Sequence, residues 1–327
     1  MLAVAASPDN TQQMTQKIMT QDPLGQGDDF VAAFQIEDTP VRGRIARLGE
    51  GTLDAILKRH DYPRWAANLL GEAVTLAVLV SSSLKVGGKI VVQAQGDGPV
   101  SLLVAEARVD GGVRGYLRLN KEKWDNLERI NKGTRPHIPQ VVGKGVMGII
   151  FVPDDPDQTQ YSGVVPLDGA YLEDCAQMYF AQSEQIPTRV RLAVGEISEL
   201  GGTKSWRSGG ALLQQVAGDD ARGDTEDAWN TASILFDSVT DIELADPDLP
   251  SAALLFRLFN EQGVRLETPR QLEDKCTCSE GKLQQMLKGL PPAEVRTLAE
   301  DDGNVSADCQ FCGRIYRFPV SSVLGEG

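Results

Sequence analysis

Basic charge is scarce in this chain. Thirty-two lysines and arginines stand against 46 aspartates and glutamates, which leaves a net charge of −14 at neutral pH. So acidic a chain repels phosphate backbones and anionic lipid surfaces, and this counts against binding to nucleic acid or to a membrane surface. Long apolar runs are missing too. The longest, Trp65 to Val80, is interrupted by Asn68, Glu72 and Thr75 and falls short of the roughly 20 residues that span hydrocarbon, so it reads as a core helix. The start, MLAVAASPDN, has no basic residue before Lys17. It therefore lacks the charged region of a secretory signal, and the expected location is the cytoplasm.

Other absences narrow the chemistry. Histidine occurs twice, as His60 and His137, and neither is near a cysteine in sequence. His60 stands just before Tyr62-Pro63 and reads as a turn residue. Gly96-Asp97-Gly98 is not followed by the Gly-Lys-Ser/Thr of a phosphate-binding loop, so a hairpin turn is expected there and no nucleotide site. The five cysteines are odd in number and unevenly placed, unlike a secreted disulfide framework.

What is present is ample apolar material, 41% of 327 residues, enough for two or three domains. The order of elements is α+β: an N-terminal domain of mixed antiparallel sheet and helix, a helical metastable linker, and a small C-terminal zinc-binding domain. Residues 1–27 have the composition of a solvated, disordered tail. Residues 28–218 form the core domain. Within it, Leu53, Ile56 and Leu57 share a helical face, followed by the Trp65 helix. Lys89 to Gln95, Val100 to Ala107 and Val113 to Leu119 are β-type runs separated by strong turn signals, so they form an antiparallel meander. Further strands are expected at 146–152, 160–165, 189–194 and 211–216, with one helix over 170–185. Cys175 shares the apolar stripe of that helix and reads as a small buried hydrophobe.

Composition changes at Gly218. Between Asp219 and Pro250 ten acidic residues face one arginine, Arg222, which makes 219–270 the linker. Residues 228–239 and 251–260 have helical patterns, the second with Ser251 as N-cap and Gly263 as C-cap. Helices this short need a supporting surface, and they are expected to rest on the core domain. Ala252 to Phe256 with Leu258 and Phe259 is apolar on nearly every side. It should be almost wholly buried when folded, and sticky when released.

Residues 271–327 contain Cys276-Thr277-Cys278 and, after thirty residues, Cys309-Gln310-Phe311-Cys312. Two close pairs brought together supply four thiolates for one tetrahedral ion. Short helices at 280–288 and 293–300 fold the intervening chain back, and a strand is expected at 314–318. Soft sulfur favours zinc, with an iron–sulfur cluster as the competitor. Four protein ligands leave no open position for hydrolysis, so the chain is not read as an enzyme. So small a piece needs its metal to fold. A permanent structural zinc module is one reading. The single residue between Cys276 and Cys278, shorter than the usual zinc-ribbon spacing, leans towards a site that oxidation can dismantle, because zinc-bound thiolates are nucleophilic towards peroxide.

The chain also resembles a known family, the redox-regulated heat-shock chaperones called 33-kilodalton chaperonins. The resemblance rests on Val41-Arg42-Gly43, His60-Asp61-Tyr62-Pro63, Gln95-Gly96-Asp97-Gly98-Pro99, Ser183-Glu184-Gln185-Ile186-Pro187-Thr188-Arg189, Lys275-Cys276-Thr277-Cys278-Ser279 and Cys309-Gln310-Phe311-Cys312-Gly313, in that order. It implies an ATP-independent holdase for unfolding or oxidatively damaged proteins. In the reduced state one zinc ion is held by Cys276, Cys278, Cys309 and Cys312, and the chaperone is inactive. Oxidation then forms two disulfides, Cys276 with Cys278 and Cys309 with Cys312. Zinc release and linker unfolding expose apolar surface, here Leu254, Leu255, Phe256, Leu258 and Phe259, and the active form is commonly a homodimer. One departure is Ser279-Glu280-Gly281, where family members tend to carry a basic residue, so the electrostatics around the thiolates differ.

Two readings of other classes stand beside this one. A thiol-disulfide oxidoreductase would work through Cys309 and Cys312, but its Cys-x-x-Cys opens a helix in a βαβ unit. A structural zinc adaptor for nucleic acid would need a basic face, which −14 makes hard to assemble.

Overall fold

In β1 (Phe30–Ile36) the side chains of Phe30, Ala32, Phe34 and Ile36 lie on one face and Val31 on the other; β2 (Val41–Leu48) alternates likewise, Val41 and Ile45 opposite Ala46 and Leu48. The computed structural model describes residues 27–198, 202, 204–216 and 225–325. The tail expected at 1–27, Gly27 apart, and positions 219–224 of the linker lie outside the described residues, as do the Gly218 boundary and Arg222. Two compact units divide the chain between Asp274 and Lys275.

The first unit continues through two helical turns, Glu50–Asp54 and Ala55–Leu57, which bury Leu53, Ile56 and Leu57 as their spacing predicts. Next comes α1 (Arg64–Ser81), buried along nearly its whole length. The meander follows as β3 (Gly88–Gly96), β4 (Val100–Arg108) and β5 (Gly112–Leu119), then α2 (Lys121–Asn131), β6 (Gly145–Pro153) and β7 (Tyr161–Pro166). The helix expected over 170–185 is α3 (Leu172–Tyr179) with a wider turn, Phe180–Glu184, at its end. Cys175 is fully buried on it. Two long strands, β8 (Thr188–Ser198) and β9 (Lys204–Gln215), complete the sheets.

One sheet has the order β8-β9-β2-β1 and the other β5-β4-β3-β6-β7, every neighbour antiparallel. The largest core cluster joins α1 to both: Val31, Leu48, Leu192 and Leu212 from the first sheet, Val92, Leu103, Leu117 and Ile149 from the second. A helix enclosed in this way must be apolar all round. This is why Trp65 to Val80 is the longest apolar stretch, and no helix among the described residues is long and apolar enough to cross a membrane.

The opposite face of the first sheet is covered by α4 (Thr225–Asp237), α5 (Asp241–Ala245) and α6 (Ser251–Phe259). Phe236, Leu244, Leu254, Leu255, Leu258 and Phe259 pack there on Phe30, Phe34, Ile45 and Leu213. The chain then runs along the sheet edges. Strands β10 (Val264–Leu266) and β11 (Arg270–Gln271) pair with β1, and β12 (Glu273–Asp274) pairs in parallel with β5.

Three details depart from the sequence reading. Neither β1 nor β2 is read from the sequence: arginines at 42, 44 and 47 mask the alternation of β2, while β1 is apolar on both faces. The N-cap of α6 is Pro250, with extended dihedrals; the Ser251 hydroxyl instead accepts a hydrogen bond from Arg47 Nε at 3.3 Å. Phe256 is half-buried, because α6 turns only one face to the sheet.

The second unit contains α7 (Glu280–Lys288), α8 (Pro292–Thr297), a hairpin of β13 (Asn304–Asp308) and β14 (Ile315–Pro319), and α9 (Val320–Leu324). Its buried core is Leu287, Val295, Val305, Ala307, Phe318 and Val323, with Cys309 close to fully buried as well.

Candidate metal centre

Two backbone segments set the sulfurs. The first follows β12 at once: Cys276 and Cys278 lie outside any helix or strand, and Ser279 N-caps α7, its hydroxyl accepting from Lys282 N at 3.4 Å. The second joins β13 to β14. There Cys309 N donates to Arg314 O at 2.9 Å, while Cys312 N and Gly313 N both donate to Cys309 O, at 3.2 and 2.7 Å. Gly313 has φ +70°, the left-handed region where a side chain is strained, and this turn presents both sulfurs to one side.

The four Sγ atoms lie within 4.8 Å of one another. Cys276 to Cys309 is 3.6 Å and Cys278 to Cys312 is 3.5 Å. Metal–sulfur bonds of about 2.3 Å in a tetrahedron place sulfurs about 3.8 Å apart, so the cluster fits one ion. The thiols do not behave alike. Burial alone raises the Cys278 thiol, but hydrogen bonds from Tyr316 and the other three sulfurs outweigh it and bring the group down to about 7. Burial pushes Cys312 up to about 12, helped by its cysteine neighbours and opposed by the Arg314 main chain. The four sulfurs titrate as one coupled cluster, and a divalent cation would displace its protons.

Tyr316 is the site residue that sequence reasoning missed. Its Oη lies 3.3 Å from Cys278 Sγ, and Arg314 Nη1 donates to the same oxygen at 3.4 Å. The available signal was alternation: in a strand, Arg314 and Tyr316 share a face. The other sequence candidates belong to the first unit. Leu254, Leu255, Leu258 and Phe259 are buried on the sheet-facing side of α6 and Phe256 is half-buried. His60 stacks on Tyr62 at 4.8 Å, and His137 meets the edge of Tyr171.

Comparison with known proteins agrees with this geometry. The family model described as Hsp33 protein matches residues 29–319. The chain is 47% identical to the 33 kDa chaperonin of Caulobacter vibrioides over 291 residues, 89% of this chain and 94% of that one. It is 34% identical to the 33 kDa chaperonin of Escherichia coli, covering 90% and 94% of the two chains. A crystal structure of the 33 kDa chaperonin of Thermotoga maritima has the same fold, with a TM-score of 0.69 at 22% identity over 90% of this chain and 96% of that one. The fold, the spacing and convergence of the four cysteines, and identity along nearly the whole length lead to one conclusion: the chain belongs to the Hsp33 family of 33 kDa chaperonins, redox-regulated holdases that are not enzymes.

Proposed function

We propose that reduced protein holds one zinc ion and is inactive, and that peroxide oxidation converts it in the cytoplasm to an ATP-independent holdase. The observation that carries this is the convergence of Cys276, Cys278, Cys309 and Cys312 within 4.8 Å. Soft thiolates favour zinc over magnesium or calcium. When bound, the ion supplies a cross-link between the chain before α7 and the β13–β14 turn. The remaining steps belong to the protein. A cysteine thiolate attacks one peroxide oxygen, the O–O bond breaks, and a sulfenic acid and one water result. A neighbouring thiol attacks that sulfur, the S–S bond forms, and the oxygen leaves as a second water. Two electrons thus pass from two sulfurs to one peroxide for each disulfide.

The proposed disulfides are Cys276 with Cys278 and Cys309 with Cys312, although the shortest sulfur contacts run across these pairs. Once ligands are lost, the thirty residues between the pairs let them separate. Near neighbours stay tethered at high effective concentration. The six-residue core of the second unit is too small to persist alone. The zinc domain, 271–327, therefore unfolds and draws with it the linker, 219–270, from the core domain, 28–218. Residues Leu254, Leu255, Phe256, Leu258 and Phe259 are then available to unfolded clients, and the active form is a homodimer.

The test follows zinc release with a chromogenic chelator while peroxide is added under mildly denaturing conditions, alongside suppression of aggregation of a heat-unfolded client without ATP. The expected result is that both rise together. Equal suppression by reduced and oxidised protein overturns the switch.

A further inference from the structure

A cavity of about 620 Å³ opens between the two sheets of the first unit, beside the C-terminal end of α1. Its walls are mainly apolar: Val80 at the end of α1, Leu84 after it, Ile90 on β3, Ile149 and Phe151 on β6, and Phe180 beyond α3. One side differs. Arg42 of β2 lines the cavity, and Arg44, two residues on, shares its face of the strand, the face that carries Ala46 and Leu48 into the α1 core. Nε of Arg42 is buried without a hydrogen-bond partner, and so are Nε and Nη1 of Arg44, a residue only 7% exposed. Among the described residues neither guanidinium has an ion pair. Burial, and then the adjoining Arg42 charge, draw Arg44 down to about 10 against the pull of Glu267, so it is still cationic at neutral pH. A cation held out of water without a partner is costly, and an anion offsets the cost. The lining offers little: among the described residues its one carboxylate is Glu184, which accepts from Tyr179 Oη at 3.1 Å and makes no ion pair with Arg42.

We propose that this cavity binds a small amphipathic carboxylate, such as a medium-chain fatty acid, with its carboxylate on Arg42 and its hydrocarbon among Val80, Leu84, Ile90 and Ile149. The volume falls within the roughly 300–1,000 Å³ of small-molecule pockets. An inorganic anion would leave the apolar walls wet, and a plain hydrocarbon would leave the guanidinium unanswered. A carboxylate matches the guanidinium fork, which can engage it through two parallel hydrogen bonds. Arg44 adds positive potential at the same end of the cavity. The net charge of −14 repels anions at long range, but physiological salt screens that repulsion beyond about 8 Å, and inside that distance the two arginines dominate. The site needs neither zinc nor oxidation, so the inference stands apart from the holdase reading.

The test uses reduced, zinc-loaded full-length protein at neutral pH, titrated by calorimetry with octanoate below its micelle concentration and, separately, with octanol and acetate. Octanoate is expected to bind about ten-fold more tightly than octanol, because only the carboxylate makes charge-assisted hydrogen bonds. It should also bind about a hundred-fold or more tightly than acetate, which has the head without the hydrocarbon, and it should shift the methyl NMR signals of Ile90 and Ile149. In Arg42→Gln, at a partly exposed position, octanoate and octanol should bind alike. Leu84→Trp, which fills the cavity from a half-buried position, should lose both ligands while near-UV circular dichroism shows the fold retained. Equal affinity for octanoate and octanol in the unsubstituted chain, a preference that survives Arg42→Gln, or unmoved Ile90 and Ile149 signals overturns the site. Acetate bound as tightly as octanoate would show a plain anion site and overturn the amphipathic one.

Discussion

Tyr316 shows how a single side chain tunes the cysteine cluster. A phenol hydroxyl hydrogen-bonded to a sulfur ligand fixes it and shares its charge, and loss of such outer partners weakens metal binding by about 10–100-fold. Tyr316→Phe should therefore lower zinc affinity by about ten-fold in a chelator competition titration and speed zinc release by peroxide, with the fold intact. A second residue-scale prediction concerns Glu72 on α1. Burial pushes its carboxyl up to about 7, against the pull of the Arg135 guanidinium that binds it. The folded chain thus keeps a proton that the unfolded chain, with a value near 4.5, has already released. Its stabilising contribution is complete below that unfolded value and is lost as pH rises through about 7. Urea midpoints should fall across this window, and Glu72→Gln should flatten the slope. The sequence places Glu72 in a core helix but does not name Arg135, which arrives from 63 residues away.

Among the elements, α6 holds the rest of the linker in place. Its Phe259 is fully buried and stacks on Phe34 with ring centroids 6.1 Å apart, and Gly43 leaves room for the Phe34 ring. Phe259→Ala leaves a cavity costing about 3–5 kcal/mol, more than so short a helix supplies by itself. The variant should bind a hydrophobic dye and suppress client aggregation while still reduced and zinc-loaded. An inactive reduced variant would show that α6 does not gate the surface. The helices α4 and α6 and the meander were legible because their periodicity and turns are local. Strand β2 was not, because Arg42, Arg44 and Arg47 look like solvated charge until the sheet and its cover are assembled around them, and β1, apolar on both faces, shows no alternation to read.

For the whole molecule, the two units differ in how they are held together. The first has a core running through two sheets and an enclosed helix, whereas the second buries six apolar side chains and four cysteines come together beside them. Structural zinc sites contribute about 10–16 kcal/mol of apparent folding energy in small peptides. Chelation under reducing conditions should therefore abolish amide protection across residues 275–325 and leave the strands β3 to β9 protected. Protection of the second unit without metal would show that its core suffices.

The sequence by itself determined the α+β order, the acidic segment, the two close cysteine pairs and, through its motifs, the family, because these depend on composition, spacing and local pattern. Only the tertiary structure decided that Tyr316 touches Cys278, that α1 is enclosed between two sheets, and that Arg47, Arg189, Arg191 and Arg207 from three strands meet the linker. Each of these joins residues distant in the chain or on strands whose register no local pattern fixes. The four cysteines could be named from their spacing, but what surrounds and tunes them came from the turn at Gly313 and the strand that follows it.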